Sequence, residues 1–119
     1  MDDHPAAISI GDVQRAVARS FSLSLGEMLS RDRCRYPTRA RNVAMYLSRA
    51  LAGGGIDGRR PYAASFPRIA MAFARDHTSV IHACNAIARR READADFSRL
   101  VDRIARELAA AAFKPAQAA

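Results

Sequence analysis

Residues 65–87 read SFPRIAMAFARDHTSVIHACNAI, and the punctuation of this stretch decides the fold. Ser65 is a natural helix N-cap with Pro67 in the first turn, and Ile69, Ala70 and Phe73 follow at helical spacing. Only Ala74-Arg75 separates this helix from a second one, which Asp76 is placed to cap. Two helices joined by so tight a turn, the second with a polar leading end, form a helix-turn-helix pattern. On the second helix Val80, Ile81, Cys84 and Ile87 share an apolar face. Thr78, Ser79, His82, Asn85, Ala86 and Arg89 point away from it, and Asp76 and His77 stand at its very start.

The same periodicity runs outward through the chain, and alternating runs of strand length are absent. The expected fold is all-α, a six-helix bundle containing the helix-turn-helix. A first helix starts near Ser9 with Ile10, Val13 and Val17 on one face and Phe21 closing it. Ser24-Leu25-Gly26-Glu27 is a capping box, in which Ser24 and Glu27 satisfy each other's backbone donors, and it opens a short second helix carrying Met28 and Leu29. A third runs from about Thr38 to Leu51, with Ala40, Val43, Ala44, Leu47 and Leu51 buried and Arg41, Asn42, Ser48 and Arg49 off the stripe. The sixth covers about Asp96 to Ala112, with Phe97, Leu100, Val101, Ile104 and Leu108 inward. Residues 9–112 thus read as one domain between tails at 1–8 and 113–119, interrupted by a flexible glycine-rich insertion at 53–62.

Nineteen basic residues stand against twelve acidic ones, a net charge of +7 over 119 residues. All the basic residues but Lys114 are arginine, whose planar guanidinium suits bidentate contact with phosphate or guanine, so a polyanionic partner is favoured. MDDHPAAIS lacks the basic start and long apolar run of a signal peptide, and no stretch approaches membrane-spanning length. Cys34 and Cys84 have no metal-ligand or redox spacing; Cys84 reads as core and Cys34 as an incidental thiol in a polar loop. A reduced, cytoplasmic protein with no cofactor is expected.

The polar leading end of the fifth helix could in principle carry chemistry, but its geometry argues otherwise. His77 and His82 lie roughly 140° apart on a helix, whereas zinc-binding helices use histidines four apart, so no metal is expected. His82 lies about 160° around the helix from Cys84 and cannot serve as its base. The glycines of GGGIDGRR are followed by no Lys-Ser/Thr, which excludes a P-loop. An enzyme is not expected. Two readings stay level on pattern alone: a plain capped surface helix, and a recognition helix offering its N-terminal end to base edges in the major groove.

A resemblance separates them. SFPRIAMAFARDHTSVIHACNAI is similar to the signature of the C-terminal DNA-binding domain, domain IV, of the bacterial chromosomal replication initiator DnaA, with RDHT at its centre. LSRDRCRYPTRARNVAMYLSRAL resembles that family's basic loop and following helix, and ISIGDVQRAVARSF its N-terminal segment, so the likeness covers about Ile8 to Leu108. It implies binding to a short duplex box. Carried over by position, Arg33 matches a basic-loop arginine that enters the minor groove, and Asp76, His77 and Thr78 match the residues that read bases in the major groove. Arg41, Asn42 and Arg49 match backbone-holding positions of the third helix. Phe66 and Pro67 match the start of the fourth, which packs along the DNA backbone, and Ser79 stands in the place of a threonine.

The departures from the family pattern shape the expected role. Ala74 replaces a Gly-Gly pair, so the turn is shorter and loses its permissive φ. Ala86 stands where the family usually has a phosphate-contacting lysine, and Arg68 replaces a usual glutamate, adding a backbone-contacting charge. With Met1 at its head and no ATPase module before the domain, the sequence reads as a stand-alone accessory or regulatory factor at initiator boxes. The rival reading is a protein-binding adaptor that keeps the fold and regulates the replication initiator or its partners.

Overall fold

A computed structural model describes residues 8–31, 34–53 and 64–113. Among them are six helices: α1 (Ile10–Ser20), α2 (Leu25–Leu29), α3 (Arg35–Leu51), α4 (Phe66–Phe73), α5 (His77–Ala93) and α6 (Ala95–Phe113). Among these residues the fold is the all-α bundle with a helix-turn-helix that the sequence implies.

Local sequence explains most of the boundaries. Ser9 and Asp12 form a capping box at α1, with the Asp12 amide 2.9 Å from Ser9 Oγ and the Ser9 amide 3.0 Å from Asp12 Oδ2. Ser24 and Glu27 repeat the device at α2, and the Ser65 hydroxyl accepts from the Arg68 amide at α4. The third helix begins at Arg35, before the expected Thr38. Pro37 sits in its first turn, where the amide that proline lacks would have no intrahelical partner anyway. Asp94 alone joins α5 to α6 and caps the latter, its carboxylate accepting from the Phe97 amide at 3.0 Å.

Helix α3 lies at the centre and touches each of the other five. Its buried face is correspondingly wider than a single stripe. Arg41 and Ser48, which the periodicity puts outside, are 5 % and 0 % exposed; over Arg41 it is α2 and its exit that close, through the Met28 and Ser30 carbonyls. Met28, Val43, Leu47, Ile69, Phe73, Val80, Val101 and Ile104 form the deepest layer, each contributing about 1.5–3 kcal/mol through burial. Cys84 is half-buried, whereas Ala83, one residue before it, is buried. Ile8, which the sequence assigns to a tail, packs against the core and accepts a hydrogen bond from the Gly53 amide. The remainder of the 53–62 insertion, like most of both tails, lies outside the described residues.

Candidate nucleic-acid interface

The turn between α4 and α5 sets the direction of the reading end. Ala74 adopts the left-handed conformation (φ 54°, ψ 48°). Its amide bonds to Met71 O at 3.2 Å and the Arg75 amide to Ala70 O at 2.9 Å, the paired bonds of a Schellman motif. The permissive φ expected to vanish with Gly-Gly is therefore made by an alanine, at a cost of about 1–2 kcal/mol. The chain leaves this turn through Arg75 and enters α5 at Asp76.

Asp76 has the extended backbone of an N-cap (φ −74°, ψ 154°), and its carbonyl accepts from the Ser79 and Val80 amides. Its carboxylate makes no capping bond, which corrects the expectation that the side chain takes the first amides. Main-chain geometry opens the helix instead, and the carboxylate faces solvent. His77, Thr78 and Ser79 are also exposed, as are His82, Asn85, Ala86 and Arg89 further along. This polar face is the one the periodicity assigns. The end thus offers an acceptor, an imidazole and a hydroxyl together with unpaired backbone amides, the equipment needed to probe base edges or phosphates.

The arginines around this end divide into two groups. Arg41 is turned inward: its guanidinium lies 3.4 Å from Met28 O, 3.2 Å from Ser30 O and 3.3 Å from Thr38 Oγ1. Arg49 donates to Ala64 O at 2.9 Å and lies 4.2 Å over the Phe66 ring. Both were expected on phosphate, and in this structure both secure neighbouring segments: Arg41 the exit of α2, Arg49 the start of α4. By contrast Arg31, Arg35, Arg68 and Arg89 are exposed, and Pro67 is exposed beside Arg68. Asn42 is half-buried and borders a concave surface with Arg31, Thr38, Arg41, Arg75 and Ser79, which brings α3 and the first turn of α5 to one site. A second shallow groove places Arg35 and Arg39 opposite Ala86, so arginines from α3 flank the position of the missing lysine. Arg33 lies outside the described residues.

Sequence reading did not single out Arg31, Thr38 or Arg75 for this surface. Arg75 opens RDHT, so for this residue the sequence does carry a signal. Burial first, and the neighbouring Arg31 charge second, hold Arg75 below the usual arginine range. Burial raises the Cys84 thiol, against a smaller opposing effect of Arg49, so Cys84 is a poor nucleophile at neutral pH. Among the described residues, no three His, Cys, Asp or Glu side chains gather where they could hold a metal. No described helix is long and apolar enough to cross a membrane.

An exposed polar helix end behind a Schellman turn, flanked by arginines from a neighbouring helix, defines a helix-turn-helix domain of the DNA-reading kind. The family of the bacterial DnaA protein helix-turn-helix matches residues 10–87. The chromosomal replication initiator protein DnaA of Laribacter hongkongensis is 41 % identical over 93 residues, covering 77 % of this chain and 17 % of that protein. The DnaA of Acinetobacter baumannii strain ATCC 17978 is 40 % identical over 91 residues, or 76 % and 17 %. The chain belongs to this family and carries its C-terminal, DNA-binding helix-turn-helix domain. It spans about 17 % of the length of the relatives it matches.

Proposed function

We propose that this protein binds double-stranded DNA sequence-specifically at initiator-type boxes and serves an accessory or regulatory role in replication initiation, in the cytoplasm at the nucleoid. The observation that carries this reading is the exposed Asp76-His77-Thr78 end of α5, with a carboxylate that no helix amide occupies. Asp accepts from cytosine N4, His donates to a purine acceptor, and Thr either bonds a base edge or touches a thymine methyl. Arg31, Arg35, Arg39, Arg68 and Arg89 supply the sequence-independent attraction to phosphate. The minor-groove contact falls to Arg33, by its match to the family's basic-loop arginine. Asn42, Ser79 and the Phe66-Pro67 start of α4 touch the backbone, while Arg41 and Arg49 hold the elements that do so. Binding is by occupancy: the domain marks or competes for a box, and no step of the role requires chemistry on a substrate.

The test is competition between a labelled initiator box and a scrambled duplex at about 150 mM salt, where non-specific attraction is already weakened. The box should be preferred by at least about a thousandfold, as for specific DNA-binding proteins generally. Equal affinity for the two duplexes would overturn the reading and leave the protein-binding adaptor in its place.

A further inference from the structure

Two parts of the molecule must act on one duplex: the leading end of α5, and the segment that leaves α2 at Ser30 towards Arg33. They are 45 residues apart, yet a single side chain joins them. The Arg75 guanidinium donates through Nη2 to Ser30 O at 2.9 Å and through Nη1 to Phe73 O at 3.0 Å. A weaker contact from Nη1 reaches Ala74 O at 3.4 Å. One planar cation therefore bridges the exit of α2 and the left-handed turn that aims α5. The Ser30 carbonyl also receives Arg41 from α3, so two cations converge on one acceptor. Neutral backbone carbonyls are weak partners for an exposed charge. Here they are pre-placed, and guanidinium donors at fixed angles match them.

We propose that Arg75 is a positioning residue that locks the α2 exit to the α4–α5 turn, so that the two DNA-directed segments keep one relative placement before DNA arrives. Arg75 itself spends its donors on protein carbonyls and contacts no base or phosphate. Binding specificity then depends on a residue that touches neither groove, because without the bridge the placement must be re-established upon each encounter. Lysine keeps the charge but has no planar fork, and cannot span carbonyls on both sides.

The affinity arm of the test rests on the DNA-binding reading, so a second arm uses the protein alone. Amide hydrogen exchange is followed by peptide in wild type, Arg75→Lys and Arg75→Ala. Exchange across residues 25–31 should quicken about tenfold in both variants, the loss of one charge-assisted hydrogen bond, while residues 80–93 keep their protection. Binding is then measured on matched and scrambled duplexes. Both variants should lose about tenfold on the matched box and little on the scrambled one, with the salt slope unchanged. Three results would each overturn the proposal. Unaltered exchange at 25–31 means there is no lock. Lysine restoring matched-box affinity, with Arg75→Ala weakening both duplexes and lowering the salt slope by about one, means a phosphate contact. Exchange rising throughout the chain while box preference persists means a general structural role. A wild type without box preference sinks the DNA-binding reading alone, since the exchange arm still decides the lock.

Discussion

Asp76, His77 and Thr78 occupy adjacent positions, yet they should fail differently when changed. The Asp76 carboxylate makes no capping bond, so Asp76→Asn gives up no cap and only a little favourable interaction with the helix dipole, about 0.3–1 kcal/mol. Thermal stability should stay within that range while base preference changes, because an amide donates where the carboxylate could only accept. His77→Ala and Thr78→Ala should each cost roughly 1–3 kcal/mol on the preferred box and little on random duplex. Competition binding with matched and scrambled duplexes measures all three; an unchanged specificity ratio in folded protein would reduce RDHT to a helix opening. Arg49 behaves in another way, because it joins Ala64 and Phe66 to α3. Arg49→Ala should lower stability by about 1–3 kcal/mol through the lost charge-assisted bond and ring contact. It should also weaken matched and scrambled DNA alike. Denaturant unfolding beside the binding assay separates this from a pure phosphate contact, for which the midpoint would not move.

At the scale of elements, the α4–α5 turn carries strain that a designer would remove. Ala74→Gly relieves about 1–2 kcal/mol of left-handed strain but frees the unfolded chain by about 0.4–1 kcal/mol. The net expectation is a stabilisation of roughly 0.5–1 kcal/mol, read as a raised denaturation midpoint. A destabilised variant would mean that Ala74 does not sit in the left-handed region. The α1 capping box gives a pH signature. The Ser9 amide, opposed in part by burial and helped by Arg15, holds the Asp12 carboxyl below its ordinary 3.8. A depressed folded-state value contributes stability above the unfolded value, which is lost as pH falls through the folded one. The thermal advantage of wild type over Asp12→Asn should therefore shrink below about pH 3.8; a pH-independent gap would deny the box its charge. These elements were legible in sequence for a physical reason. Apolar spacing of 3.6 and Ser-x-x-acid boxes are local signals, which is why the faces of α1 and α6 read correctly, whereas on α5 the buried position is Ala83 rather than Cys84. Buried Arg41 was not legible, because what covers it is the exit of a different helix. The left-handed Ala74 was not legible either, since only the surrounding hydrogen bonds force that backbone on an alanine. Likewise the bare carboxylate of Asp76 depends on where a short side chain turns, which its identity as a capping residue does not specify.

The whole molecule is a small, arginine-rich cation, and its charges are not equivalent. A count from composition alone suggests a steep salt dependence, because nineteen basic residues, eighteen of them arginine, outweigh twelve acidic ones to give a net charge of +7. The structure trims that count. Arg41, Arg49 and Arg75 are committed to carbonyls or a ring. Arg91 reaches Tyr46, Ser98 and Asp102, and Arg15 and Arg99 are paired with Asp12 and Asp96. Among the described residues around the reading end, Arg31, Arg35, Arg39, Arg68 and Arg89 remain to meet phosphates, five groups. Each phosphate neutralised releases condensed counterions, so log K against log salt should fall with a slope of roughly −4 to −5 on the preferred box. Random duplex should give nearly the same slope, since those five arginines carry no sequence information. Charge removal at Arg35 or Arg89 should lower the slope by about one on both duplexes, whereas Thr78→Ala should leave it alone while reducing affinity for the box. Titrations from about 50 to 200 mM salt cover the range in which such contacts differ most. A slope near zero would show that the positive surface does not meet phosphate at all, and one near −10 would require arginines beyond these five to meet phosphate on binding.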